Sequence, residues 1–363
     1  MPLQHQKTIE LRPMPEYIIV GQGLAGSMLS YFLWKKGKSF MVIDEGREIT
    51  SSAIAAGMFN PVTGRRYNKT WLAEEVLPLA EETYLALEEI LSVKLYHPKK
   101  ILRIFPSEDE KKEALLRLSS GQINEYIINV FDGEGLPVNI TAPLGAIEIK
   151  GGGNIDSGAF ISAYRKWLKN NEFLTEEKFN WEEVVFENER INWRSNEPSK
   201  IIFCEGHYVQ QNPLFGKLPF SPAKGEILTI KSPGFKCEYL INKGIYILPV
   251  KDDIYKVGTT YEWDELDEIP TEKAKEELIA KLTKILPVPF EVIGHQAAVR
   301  PATYDRRPII GMHPEYKNVG ILNGYGTKGV ILAPYFGNQF ADFLVEGKPF
   351  NKEADIARFK GKL

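Results

Sequence analysis

The feature that most constrains this chain is a continuous strand–turn–helix–strand unit near its start. Tyr17-Ile18-Ile19-Val20 is a short apolar run suited to a buried parallel strand. It feeds Gly21-Gln22-Gly23-Leu24-Ala25-Gly26 and then a helical stretch that Gly37 ends. Ser39 to Ile43 supplies a second strand, which closes on Asp44-Glu45. Each position has a physical reason. Gly21 permits the tight turn, Gly23 lets backbone approach a pyrophosphate, and Gly26 lets the helix pack closely on the sheet. With Leu24 and Ala25 the helix N-terminus faces the phosphates. Asp44 stands where a carboxylate accepts hydrogen bonds from ribose hydroxyls, with Glu45 beside it. A lone GxGxxG is a weak signal, and a lone Asp-Glu pair reads as a solvated strand end. Together with both strands and the helix they predict a Rossmann-type dinucleotide-binding unit, hence an α/β framework.

Composition excludes several other classes. At 363 residues, with 43% hydrophobic and 26% charged residues, the chain is ordinary globular material. A formal charge of −3 argues against a polyanion partner, so nucleic acid is not expected. Only Cys204 and Cys237 are present, without a CxxC or a Cys/His cluster, so neither a disulfide framework nor a metal site is expected. No apolar run has signal-peptide or membrane-spanning length, and a cytoplasmic protein is expected. Residues 1–14 read as a loose extension, with Met14 an alternative start.

The rest of the chain alternates. An acidic amphipathic helical stretch covers 70–92 and is expected to be interrupted at Pro78. Strand-like segments near 101–105 and 125–131 flank a charged helix over 108–119. Asp156 caps a helix running to Lys169, strands recur from 183 to 260, and a further helix covers 271–285. This is the pattern of one framework interleaved with insertions.

The segment Thr50 to Pro61 is rich in small residues. Ser51 and Ser52 offer hydroxyls to phosphate oxygens, and Ala56-Gly57-Met58 lets backbone lie against a cofactor. At these residues the chain resembles the D-amino acid oxidase family, the group of glycine oxidase and monomeric sarcosine oxidase. The resemblance continues at Gly153-Asn154-Ile155-Asp156, at Cys204-Glu205-Gly206 and through Pro222 to Glu226. It is strongest in VRPATYDRRPIIG and NVGILNGYGTKGV. It implies FAD as cofactor, contacted also by Glu205, Gly206 and the run Gly324, Tyr325, Gly326, Thr327, Lys328, Gly329. It implies an FAD-binding domain of 1–60, 151–225 and 295–363, and an antiparallel-sheet substrate domain of 61–150 and 226–294. Sarcosine oxidases attach FAD through a cysteine after the arginine position. Pro301 stands there here, so the FAD is expected to be noncovalent.

The activity so implied is removal of hydride from the carbon next to nitrogen of a small amine or amino acid, of glycine, sarcosine or D-amino acid type. Oxygen or another acceptor reoxidises the flavin. Arg300 matches the arginine that grips a substrate carboxylate, and Lys328 a lysine used for the same carboxylate. Lys256 matches a lysine that promotes reaction with oxygen, although an outward-facing strand lysine would look the same. Tyr246 is a candidate to line the pocket, Arg65 and Arg66 face either the site or solvent, and His295 reads as a packed structural histidine. Where relatives often have Gly-His-Gly this chain has Gly324-Tyr325-Gly326. Two further readings share the fold: a flavin domain acting on a carboxymethylaminomethyl group of a tRNA wobble uridine, and a flavin electron-transfer protein.

Overall fold

The computed structural model describes residues 15–187, 190–194 and 197–362. The expected extension 1–14 lies outside them. Within the described residues two large sheets meet along one long cavity.

The first sheet has six strands and grows from the opening unit. Tyr17–Val20 is buried on both faces and pairs in parallel with Phe40–Ile43 on one side and Lys200–Phe203 on the other. Ile19 sits between Val42 and Ile202 in register. Leu174–Thr175 extends one edge, while Val319–Asn323 and the antiparallel strand Ile309–Met312 extend the other. The fingerprint helix Leu24–Lys35 packs against the C-terminal helix Gly329–Glu346. Gly337 allows this close approach, since a Cβ there would lie 3.0 Å from Met28 Cβ.

The helix Ala73–Leu91 packs on that C-terminal helix and runs unbroken through Pro78, contrary to the interruption expected from the sequence. Pro78 is its sixth residue, so a single hydrogen bond near the start is lost. Val76, Ala80, Tyr84 and Leu87 then bury one face on both sides of the ring. That burial outweighs one missing bond.

The second sheet has nine strands and is mainly antiparallel. In spatial order it runs Glu291–Arg300, Ala223–Lys231, Ile254–Gly258, Ile245–Lys251, Leu240–Lys243, Tyr96–Ile104, Ala146–Ile155 and Met58–Phe59, with Ile127–Phe131 on Ala146–Ile155. Residues 151–155, 223–225 and 295–300, grouped by sequence with the cofactor-binding segments, lie in strands of this sheet. The strands are long enough to run from the insertions back to the cavity. The helix Glu272–Thr283 covers the far face, burying Leu278 and Leu282 against Leu228, Ile247, Tyr255 and Val257. Among the described residues no helix is long and apolar enough to cross a membrane, and no cluster of potential metal ligands occurs. Both cysteines are free.

Candidate active site

The C-terminal ends of the parallel strands open onto a cavity of about 660 Å³, within the usual size for small-molecule and cofactor sites. The segments singled out from the sequence converge on it. Its lining includes Gly21 and Gly23 to Ala25, Asp44 and Glu45, Ser51 and Ser52, and Ala56 to Met58. It also includes Glu205 and Gly206, Tyr325 to Gly329, Tyr246 and Arg300. Gly26, Gly324 and Lys256 are not among the lining residues.

The nucleotide end is shaped by glycines. Gly21 has φ +101°, and a Cβ there would lie 2.5 Å from the Cys204 carbonyl oxygen. A Cβ on Gly26 would lie 1.9 Å from the Gly21 carbonyl oxygen, so its role is helix–strand contact beneath the turn. The Leu24 N–H, the first of the helix, points to Ser52 Oγ at 3.1 Å. Asp44 is held in place: its Oδ2 accepts from the Gln22 N–H (2.8 Å), and Oδ1 accepts from Gly46 N–H (2.8 Å) and Arg165 Nη1 (2.6 Å). Arg165 was not foreseen, because it lies on the helix Ser157–Asn170, far along the chain. Glu45 pairs with Arg47, whose guanidinium lies over the Tyr208 ring at 4.0 Å. Glu205 receives a hydrogen bond from Asn212 Nδ2 (2.7 Å), yet burial pushes its carboxyl up to about 7. Burial, with Arg47 nearby, pulls His207 down to about 4. A turn that only glycine can make, a helix N-terminus with Ser52 at its first N–H and a fixed carboxylate fit a dinucleotide.

The other end lies beneath the nine-stranded sheet. Two glycines make room for two polar side chains. A Cβ on Gly225 would fall 1.7 Å from Arg300 Nη2, and one on Gly258 would fall 2.9 Å from the Tyr246 hydroxyl. Arg300 Nη2 donates to Thr259 Oγ1 (2.5 Å), and its guanidinium lies over the Tyr261 ring at 4.7 Å. Arg300 Nη1 and the Tyr246 hydroxyl are buried without a hydrogen-bond partner. Burial lowers the Arg300 pKa, while the Tyr261 and Tyr246 phenols act the other way. Burial raises the Tyr246 pKa further above its ordinary value, with Arg300 opposing, so the phenol is a hydrogen-bond donor at neutral pH. Thr259, Thr260 and Tyr261 escaped sequence reasoning, since nothing local marks them as neighbours of Arg300.

The remaining candidates divide. Lys328 caps the C-terminal helix at the cavity, its pKa lowered by burial and then by Arg307 and Arg306. Lys256 is two residues before Gly258 and so on the same face of its strand; burial lowers its pKa and Asp156 opposes this. Arg65 and Arg66 are exposed. His295 Nε2 lies 2.8 Å from Glu226 Oε2, inside the sheet. Tyr325 is buried with its hydroxyl unpartnered.

Comparison with known proteins agrees with this geometry. A glycine oxidase of Bacillus licheniformis is 26% identical over 372 residues, covering 94% of this chain and 96% of that one. One from Pseudomonas aeruginosa is 30% identical over 163 residues, 44% of this chain and 45% of its own length. The crystal structure of glycine oxidase from Geobacillus kaustophilus superposes with a TM-score of 0.79 at 20% identity, covering 95% and 97% of the two chains. Residues 16–343 match the DAO family, FAD dependent oxidoreductase, so the chain belongs to that family and is an FAD-dependent oxidoreductase.

Proposed function

We propose that this enzyme oxidises a small amino acid or amine at the carbon next to nitrogen. It holds the substrate by a carboxylate between Arg300 and Tyr246. FAD, when bound, supplies the hydride acceptor. The observation that carries the reading is the pair of unpartnered buried donors, Arg300 Nη1 and the Tyr246 hydroxyl. A buried cation with a free N–H costs stability unless a ligand completes it. A carboxylate does so, with one oxygen for each donor. The groups whose charge acts on Arg300 are the two phenols, not an acid. Asp44, Glu45 and Glu205 follow strand ends of the other sheet, and Glu268 accepts a hydrogen bond from Tyr208. The guanidinium charge is therefore left for substrate.

The same reading supports noncovalent FAD. Cys204 lines the cavity at its nucleotide end, against Gly21 and away from Arg300 and Tyr246, and is almost fully buried, while Cys237 packs against the core beneath the helix Glu272–Thr283. Several relatives are named glycine oxidase, and glycine, sarcosine and D-amino acids are the first compounds to try. Oxygen or another acceptor restores the oxidised state.

The test is anaerobic bleaching of the flavin absorbance with that panel, wild type beside Arg300→Ala. Wild type should bleach with at least one member. The variant should keep FAD and fold, and lose about 2–3 kcal/mol of affinity for simple carboxylates in spectral titrations. Arg300→Lys should recover only part, because an ammonium cannot reproduce the guanidinium fork. Unchanged carboxylate affinity in FAD-loaded Arg300→Ala would overturn the assignment.

A further inference from the structure

Beside the two polar donors, the wall of the cavity is apolar, and the sheet register shows how it is laid out. Ile227 pairs with Gly258, and Gly258 with Tyr246, so Ile227 flanks the gap in which the Tyr246 hydroxyl stands. A Cβ on Gly258 would touch Ile227 Cγ1 at 3.3 Å as well as the phenol. The strand beyond Tyr246 contributes Leu240, which is in register with Ile101 on the next strand. Ile227 and Leu240 present surface to the cavity, and Ile101, fully buried, backs them; all three lie within one packed cluster that also contains Tyr246. Ile227 stands on a strand between those of Arg300 and Tyr246, while Leu240 and Ile101 stand one and two strands beyond Tyr246; at about 4.8 Å per strand the row extends roughly 10 Å past the Tyr246 side of the anchor. Asn242, half-buried, is the polar side chain of the same strand that also lines the cavity. No acid stands in this row to receive a cationic side chain.

We infer that the substrate carries an apolar substituent, on nitrogen or on the α-carbon, which lies along Ile227 and Leu240, backed by Ile101, so that an aliphatic amino acid is a better substrate than glycine. This rests on the carboxylate anchor proposed above. Glycine would leave the row with nothing to contact, whereas each methylene placed there leaves water for a preformed apolar wall. The positive charge of Lys or Arg side chains would be desolvated there without a partner, which excludes basic amino acids.

The experiment is a titration of the FAD-loaded enzyme with acetate, propanoate, butanoate, pentanoate and hexanoate, read by the flavin spectrum. It is repeated on Leu240→Ala and Ile227→Ala. In wild type the affinity should rise about two- to fourfold per methylene over the first several carbons. Leu240→Ala should keep wild-type affinity for acetate and lose most of the increment from the longer chains. If acetate binds and the longer acids bind no more tightly, the wall serves the cofactor or the core and the inference is overturned. If no carboxylate of any length perturbs the flavin, it is the anchor that fails, a different outcome from a flat series. The wild-type series stands even if a variant does not fold. Turnover gives the second reading: kcat/KM should be higher for aliphatic or N-alkylated amino acids than for glycine, and equal or reversed values would also overturn the inference.

Discussion

At Arg300 and Tyr246 a long polar side chain from one strand lies over a glycine of the next, Gly225 and Gly258 respectively. The donors are thus held by packing, and the unpartnered Nη1 of the guanidinium is oriented by Nη2, which donates to Thr259 Oγ1 and to the Thr260 carbonyl. Lys256 is the contrasting case. It shares a strand face with Gly258 and its charge is destabilised by burial, but it does not line the cavity. A cation in that position assists oxygen only if its charge reaches the cofactor from behind the wall. If it does, Lys256→Met should slow the return of flavin colour on mixing with oxygen by tenfold or more (about 1.4 kcal/mol), while anaerobic bleaching by substrate changes little. Stopped-flow absorbance separates the two half-reactions. Equal slowing of both would make Lys256 a packing residue.

At the scale of elements, what is local was legible. Ser107, Asp156 and Thr271 each accept a hydrogen bond from an N–H three residues on, and the helices they cap begin where the sequence places them. The opening unit was legible for the same reason, since its turn, helix and strands are contiguous. The nine-stranded sheet was not. Leu240–Lys243 lies parallel to Tyr96–Ile104, a pairing that no periodicity records. The partners of Arg300 came from such a non-local element, and so did Arg165 beside Asp44. Between these extremes lies the small-residue segment, whose glycine makes a sharp prediction. Gly57 has φ +64°, and a Cβ there would lie 1.8 Å from the Ile155 carbonyl oxygen. Gly57→Ala must move backbone that lines the cavity, on top of about 1–2 kcal/mol for the left-handed conformation. Gly64, at φ +72° with open space around it, carries only the second cost. Gly57→Ala should purify with less FAD per chain, measured by the ratio of flavin to protein absorbance, and Gly64→Ala with the wild-type ratio. Equal ratios in both would show that the segment tolerates a shift.

Over the whole molecule, the two sheets enclose one cavity, and burial of its polar lining without cofactor makes stability depend on pH. Glu205 is raised to about 7 by burial against an ordinary value of 4.5. Between those values the folded apoprotein binds more protons at Glu205 than the unfolded chain. Its contribution is therefore full below about pH 4.5 and is lost as pH rises through 7. His207 acts in the opposite sense. It is lowered to about 4 from 6.5, so the folded protein binds fewer protons there, and its contribution is lost as pH falls through that window. The two nearly overlap, and a wild-type curve alone would show little slope from them. The difference between wild type and Glu205→Gln isolates one. Glutamine keeps the shape and can still accept from Asn212, but does not ionise. In urea unfolding of the FAD-free proteins, the variant should gain on wild type steadily from pH 5 to about pH 7. The gain is at most about 3 kcal/mol, from 1.36 kcal/mol per pKa unit. Above pH 7 the difference should level off, because the carboxylate is then ionised in both states. A difference that stays constant across the range would mean that Glu205 is solvated in the apoprotein and that the cavity end beside Gly21 opens to water.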